Sequence, residues 1–198
     1  MTSHHLHQLL AGGGERMSSE RSGANIAMEE GYREGSEEWR MAMRNDFQDN
    51  PGVIAPPSLI YAGVLVVGLL LRLIFPTIFI PRQLALIIGA GCIAVACILA
   101  PTAFLQMRRA KTNIDPTQPA TAIVTEGPFR FTRNPIYLSL TLFYIGMALI
   151  AQSLWALLLL PVVLFVMNRG VIDREERYLE RKFGEQYVGY KARVRRWI

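Results

Sequence analysis

Residues Asn134–Asn168, NPIYLSLTLFYIGMALIAQSLWALLLLPVVLFVMN, run for 35 positions without one charged side chain. One helix of that length would measure about 50 Å, against a hydrocarbon core about 30 Å thick. Two full spans of about 20 residues each need more chain than the run holds. Its polar break is Gln152-Ser153. The run therefore reads as a tight hairpin of two short membrane helices, about 135–150 and 154–168, which neighbouring helices can shield.

Working outward, two more apolar stretches precede the hairpin. Leu59–Phe75, extendable to about Phe79, predicts a span over 58–79, with Arg72 reaching to the interface. Pro76, Pro81 and Arg82 make a short connection. Leu84–Leu105 is an uncharged run of 22 residues, the length that crosses a bilayer. Gly89, Gly91, Ala94 and Ala96 would let another helix approach it closely. The expected fold class is all-α: an integral membrane helical bundle with about four transmembrane helices and a cytoplasmic amphipathic helical tail over 169–198. Residues 1–50 are polar and read as a loose tail, with Met28, Tyr32, Trp39, Met43 and Phe47 on one arc if helical. They lack the charged start, apolar run and cleavage site of a signal peptide. Asn50-Pro51-Gly52 and Pro56-Pro57 mark the boundary with the membrane domain, 51–198.

Composition agrees. The 198 residues are 51% hydrophobic and 19% charged, where soluble domains carry about 25% charged residues. Mean hydropathy is +0.23. Intrinsic disorder, a disulfide-rich scaffold and an ordinary soluble enzyme are excluded. The net charge of +5 is unevenly spread: residues 1–50 carry −4, Arg108–Arg133 +3 and Arg169–Ile198 +4. The basic residues flank apolar spans, which favours a membrane surface over nucleic acid as partner. Four spans put both termini, the basic loop and the basic tail on one side, and positive charge identifies that side as cytoplasmic.

Several chemistries drop out. His4, His5 and His7 are the only histidines, so an iron site of the membrane-desaturase kind and a histidine base in the core are excluded. Cys92 and Cys97 sit in an apolar run without His or acid nearby, predict no metal site, and read as small residues packed between helices. No Gly-x-Gly-x-x-Gly follows a strand, and Gly12-Gly13-Gly14 lacks the lysine of a phosphate loop.

Two polar clusters remain on the cytoplasmic side. In the first, Gly127-Pro128 is a turn, Asn134 an N-cap and Pro135 a first-turn residue, with Arg133 able to anchor at headgroups. In the second, Arg169 and Asp173-Arg174-Glu175-Glu176-Arg177 open a helix that Gly184 closes. Local readings are bland: a helix start, and a solvated amphipathic helix on the membrane. A carboxylate pair beside a span is nonetheless suggestive.

Taken together, Gly127-Pro128-Phe129, Arg133-Asn134-Pro135-Ile136-Tyr137, the hairpin, Glu175-Glu176 and Phe183-Gly184-Glu185-Gln186-Tyr187-Val188-Gly189-Tyr190 form an ordered set. It resembles the integral membrane methyltransferases that include isoprenylcysteine carboxyl methyltransferase and phospholipid N-methyltransferase. The resemblance covers about 120–196. It implies S-adenosylmethionine as cofactor, bound at the cytoplasmic helix ends by Thr121, Ala122, Ile123, Val124, Gly127, Asn134, Pro135, Tyr137 and Glu175, with Glu176 as the alternative acid. Asn134 stands where some members have histidine, so no titratable imidazole acts there. Methyl transfer needs alignment and exclusion of water. An amine acceptor must also lose a proton, for which Glu175 or Glu176 is available. By analogy with relatives, Arg169 or Arg174 would orient the acceptor, a lipid-like or small apolar molecule entering from the membrane lipids. Two rival readings stay open. One is an NADPH-dependent membrane reductase, with Arg108, Arg109 and Lys111 for a 2′-phosphate. The other is a non-enzymatic membrane scaffold.

Overall fold

A computed structural model describes residues 35–36, 51–113 and 118–197. The chain divides into two compact units, Met1–Gln48 and Asp49–Ile198. In the first only Gly35 and Ser36 are described, both helical; the rest of the surface helix expected there lies outside the described residues. The second unit contains α1 (Pro57–Ile74), α2 (Arg82–Arg109), α3 (Pro135–Ile150), α4 (Leu154–Met167), α5 (Asp173–Phe183) and α6 (Glu185–Arg193). A 3₁₀ turn at Gly127–Arg130 precedes α3, and a π-helical turn at Asn168–Ile172 joins α4 to α5. No strand occurs among the described residues. α1, α2 and the continuous helix Leu154–Phe183 are long and apolar enough to cross a membrane, and α3 is an apolar helix of 16 residues. This is the expected all-helical membrane bundle.

Three boundaries differ from expectation. α1 stops at Ile74 rather than near Phe79, because Pro76 disfavours helical geometry at Phe75, whose φ is −123°. α2 runs past Leu105 to Arg109, placing Arg108 and Arg109 against the negative end of its dipole. The second arm of the hairpin is not short: α4 continues through the π turn into α5 without a break, 30 residues in all. Pro101 inside α2 removes one backbone donor, and Thr102 bonds back to the Ile98 and Leu99 carbonyls at 2.8 and 2.9 Å.

Packing is inverted relative to a soluble protein. The buried positions of α2 are all small, namely Ala85, Gly89, Ala96 and Ala103. Its large residues Leu86, Ile87, Val95 and Ile98 face outward, as a lipid environment demands. Gly89 meets Gly146 of α3 so closely that a Cβ on Gly146 would lie 2.7 Å from the Gly89 carbonyl oxygen. Of the other small residues expected to permit contact, Ala96 is buried, whereas Gly91 and Ala94 face outward. Cys97 is also exposed, so only Cys92 is partly packed between helices.

At the far end from the polar clusters the hairpin turn is tied to α1. Ser153 Oγ accepts from Ala156 N at 3.2 Å, capping α4, and donates to the Gly68 carbonyl at 2.9 Å. Arg72 Nε donates to the Gln152 carbonyl at 3.0 Å instead of reaching solvent alone. In the core, Tyr61 and Thr141 hydroxyls share a 2.7 Å hydrogen bond and Tyr144 donates to the Ala156 carbonyl at 2.7 Å. The hydroxyls of Tyr61, Thr141, Tyr144 and Ser153 thus have partners, as a hydrocarbon surround favours. The other end of the bundle, where α2 stops and α3 and α5 start, is left to build the site.

Candidate active site

Two adjoining cavities occupy that end. One is a cleft of mixed lining, the more polar of the two, between residues 120–124, the 3₁₀ turn, α5 and α6, lined among others by Ala122, Ile123, Val124, Tyr178 and Tyr190. The other, of about 240 Å³, is mainly apolar and lies between α1, α2 and α3, lined among others by Ser58, Phe104, Ile136, Tyr137 and Leu140. Met107, Phe129, Arg133, Asn134 and Glu175 belong to both walls, so they form the partition.

Local sequence explains each wall. Thr112 Oγ1 accepts from Thr121 N at 3.1 Å and Ala122 N at 3.4 Å, while Ala120 N donates to the Tyr178 hydroxyl at 3.0 Å. These bonds pin the loop to α2 and α5. Gly127 adopts φ +59° against Gln106, where a Cβ would come within 2.9 Å. The turn it starts buries Phe129, whose carbonyl accepts the Tyr190 hydroxyl at 2.8 Å. Burial pushes that hydroxyl up to about 12, with Arg133 pulling the other way, so it remains a donor. Tyr187, one turn earlier, is raised further by burial and by Glu176. Asn134 holds the N-cap position of α3, with Pro135 following, yet its side chain does not cap. Its Nδ2 instead donates to the Arg196 carbonyl at 3.0 Å.

The two carboxylates have different surroundings. Glu176 is almost fully buried and both its oxygens are engaged: Arg196 Nε and Nη2 donate at 3.0 and 2.8 Å, and Arg133 Nη1 lies at 3.0 Å. Lys191 Nζ stands 3.6 Å away. Glu175 accepts the Tyr137 hydroxyl at 2.8 Å, and the surface it keeps faces the two cavities. No cation pairs with it among the described residues. α5 lies beyond the apolar span, and there burial pushes the Glu175 carboxyl above the ordinary carboxylate range. The Tyr137 bond lowers it and the Glu176 charge adds to the rise. A π turn, Asn168–Ile172, lies just before the two acids; π turns recur at functional sites. Gly170 within it touches Ile54, and a Cβ there would lie 2.3 Å from Ile54 Cδ1.

Of the residues expected from sequence, Ala122, Ile123, Val124, Asn134, Pro135, Tyr137, Glu175 and Glu176 come together around these cavities. Four do not line them. Thr121 turns its hydroxyl to the Lys111 carbonyl at 2.6 Å, and Gly127 packs behind the turn. Arg174 Nη1 donates to the Gly52 carbonyl at 2.7 Å, and Arg169 lies in a separate open groove with Phe165 and Trp197. Neither arginine is where an acceptor in the apolar cavity would meet it. Sequence reading passed over Arg133, Phe129, Tyr187 and Tyr190 as site residues, although each stood inside a quoted motif. Arg196 carried no signal.

Comparison with known proteins bears on this arrangement. An uncharacterized protein of Haemophilus influenzae is 46% identical over 68 residues, 32% of this chain and 100% of that protein. No solved structure matches the chain. A family model described as phospholipid methyltransferase matches residues 84–186, from α2 through the hairpin and the Glu175-Glu176 helix into α6. That match spans the partition between a polar cleft and an apolar cavity in a helical membrane bundle, and the chain belongs to the phospholipid methyltransferase family.

Proposed function

We propose that this protein transfers a methyl group from S-adenosylmethionine to an amphiphilic acceptor at the cytoplasmic face of a membrane, with residues 51–198 as the functional domain. The observation that carries the reading is the shared partition: the more polar cleft and the apolar cavity both have Glu175, Arg133 and Asn134 in their walls. The residues suit the cofactor. Glu175 is a partly buried acid without a cationic partner among the described residues, so a bound cation would compensate its charge. Phe129, Tyr187 and Tyr190 offer aromatic faces for a purine. The cofactor supplies an activated methyl on a positive sulfur; its carbon–sulfur bond breaks as the bond to the acceptor forms.

This chain's residues bind, align and dehydrate. The apolar cavity admits hydrocarbon from between α1 and α3 and keeps water out. For an amine acceptor, Glu175 is the group that takes the proton, because it reaches the apolar cavity with an oxygen not committed to an ion pair. Glu176, held between two arginines, positions rather than reacts. The basic loop and tail, +3 and +4, support a cytoplasmic site.

Detergent-purified protein titrated with S-adenosylmethionine, S-adenosylhomocysteine and NADPH tests this directly. The first two should raise the melting temperature and NADPH should not. Labelled methyl should then pass to an extracted lipid fraction. Stabilisation by NADPH alone would favour the reductase, and no response to any ligand in folded protein would favour the scaffold.

A further inference from the structure

The chain's last residues lie beyond the family match, which ends at 186, yet they are built into the partition. Val194 is extended, and the segment it starts runs back across the residues that open α3. Arg133 N donates to the Arg195 carbonyl at 3.0 Å. The Arg196 carbonyl accepts both Thr132 Oγ1 and Asn134 Nδ2 at 3.0 Å. The Arg196 side chain grips both oxygens of Glu176 and also reaches Asp173 at 2.9 Å. Trp197 Nε1 donates to Asn168 Oδ1 at 3.2 Å, fastening the end to the π turn.

The consequence falls on Arg133. Its side chain is 9% exposed, and it is the one arginine or lysine among the described residues lining either cavity. Glu176 is the one acid it pairs with among the described residues, whereas Arg196 and Lys191, which share that carboxylate, pair also with Asp173 and Glu180. Its Nε is buried without a hydrogen-bond partner among the described residues. A buried donor in that state costs stability unless a ligand meets it. S-adenosylmethionine carries one carboxylate, and the polar cleft offers one cation.

We propose that Arg133 receives the amino-acid carboxylate of the cofactor, and that Arg196, through Glu176 and its own carbonyl, is the positioning residue that holds Arg133 there. This rests on the methyltransferase reading, and the probes separate the two. S-adenosylhomocysteine has the amino-acid end; 5′-methylthioadenosine keeps the adenine, ribose and thioether but lacks it. Calorimetric titration of the full chain in detergent should show wild type binding S-adenosylhomocysteine the more tightly. Arg133→Ala and Arg196→Ala should each weaken S-adenosylhomocysteine about tenfold or more, as expected for a charged hydrogen bond, and leave 5′-methylthioadenosine unchanged. The double variant should bind no worse than Arg133→Ala, because Arg196 acts through Arg133.

Multiplying losses, equal loss of both ligands, or wild type binding the two alike would each overturn the assignment. So would variants that raise only the KM for a lipid acceptor, which would place a headgroup anion on Arg133. Should Arg196→Ala lose both ligands, Arg196→Lys keeps the charge without the two-pronged grip, and must separate them or the proposal falls. Failure of folded wild type to bind either ligand would sink the cofactor reading itself.

Discussion

Glu175 and Glu176 are neighbours in sequence with opposite fates. Glu176 sits among three cations, while among the described residues Glu175 has only the Tyr137 hydroxyl and a low-dielectric wall. Burial therefore raises the Glu175 carboxyl above its ordinary value of 4.5, and the Glu176 charge adds to the rise. A folded value above the unfolded one means that folding takes up a proton. The stability from the neutral acid is full below about 4.5 and is lost as pH rises through the raised folded value. Glu175→Gln imitates the neutral acid, so its melting temperature should pull ahead of wild type as pH climbs through that window. Tyr137→Phe removes the bond that favours the anion and should move the window upward. Melting curves of the ligand-free protein across pH check both; a constant offset between Glu175→Gln and wild type would refute the first. Two adjacent acids were legible in the chain, but not which one is paired with cations. Their burial depends on α6 and the last residues folding back.

The helices hold together through small residues at contacts and large ones toward lipid. Gly146 and Gly89 let α3 and α2 backbones touch, whereas Gly91, two positions along, meets open space. Gly146→Val must push Ile93 and the Gly89 carbonyl aside and should cost about 1–3 kcal/mol, as overpacking does. Gly91→Val should stay within about 0.5 kcal/mol. Unfolding in mixed micelles reads the difference, and equal effects would mean that α2 presents another face to α3. Run length made α2 legible as a span, and the mid-run break made the hairpin legible. The small-residue list named Gly89, Gly91, Ala94 and Ala96 together, because composition does not tell which side of a uniformly apolar helix meets a neighbour. Low amphipathicity leaves rotation about the axis to tertiary packing. The join of α4 to α5 was hidden for a related reason: charge begins at Arg169, but a backbone tied to the rest of the bundle carries the helix on past it.

Across the whole molecule the two cavities, the basic loop and the basic tail lie at one end of the bundle, and the hairpin turn with Arg72 and Gln152 at the other. If the site end faces the cytoplasm, a single cysteine placed there should be shielded in intact cells. In a background with Cys92→Ala and Cys97→Ala, Gln186→Cys should react with a membrane-impermeant thiol reagent only after permeabilisation. Ile78→Cys, at a position 92% exposed in the α1–α2 connection, should react without it. The reverse pattern would invert the topology and move the proposed methyl transfer to the opposite face.

The chain by itself determined the solvent it folds in, the helical class, the hairpin and the family resemblance. These follow from run length, charge spacing and ordered short motifs, all of which are one-dimensional. Only the tertiary structure decided that two cavities of different polarity share a wall, and that Glu175 rather than Glu176 is left without a counter-charge among the described residues. It also decided that Arg133, and not Arg169 or Arg174, lines the two cavities. Those outcomes rest on contacts between residues distant in sequence, such as Tyr137 with Glu175, 38 positions apart, and Arg174 with Gly52, 122 apart. A side chain's electrostatic state is set by what surrounds it after packing, and no local pattern encodes that.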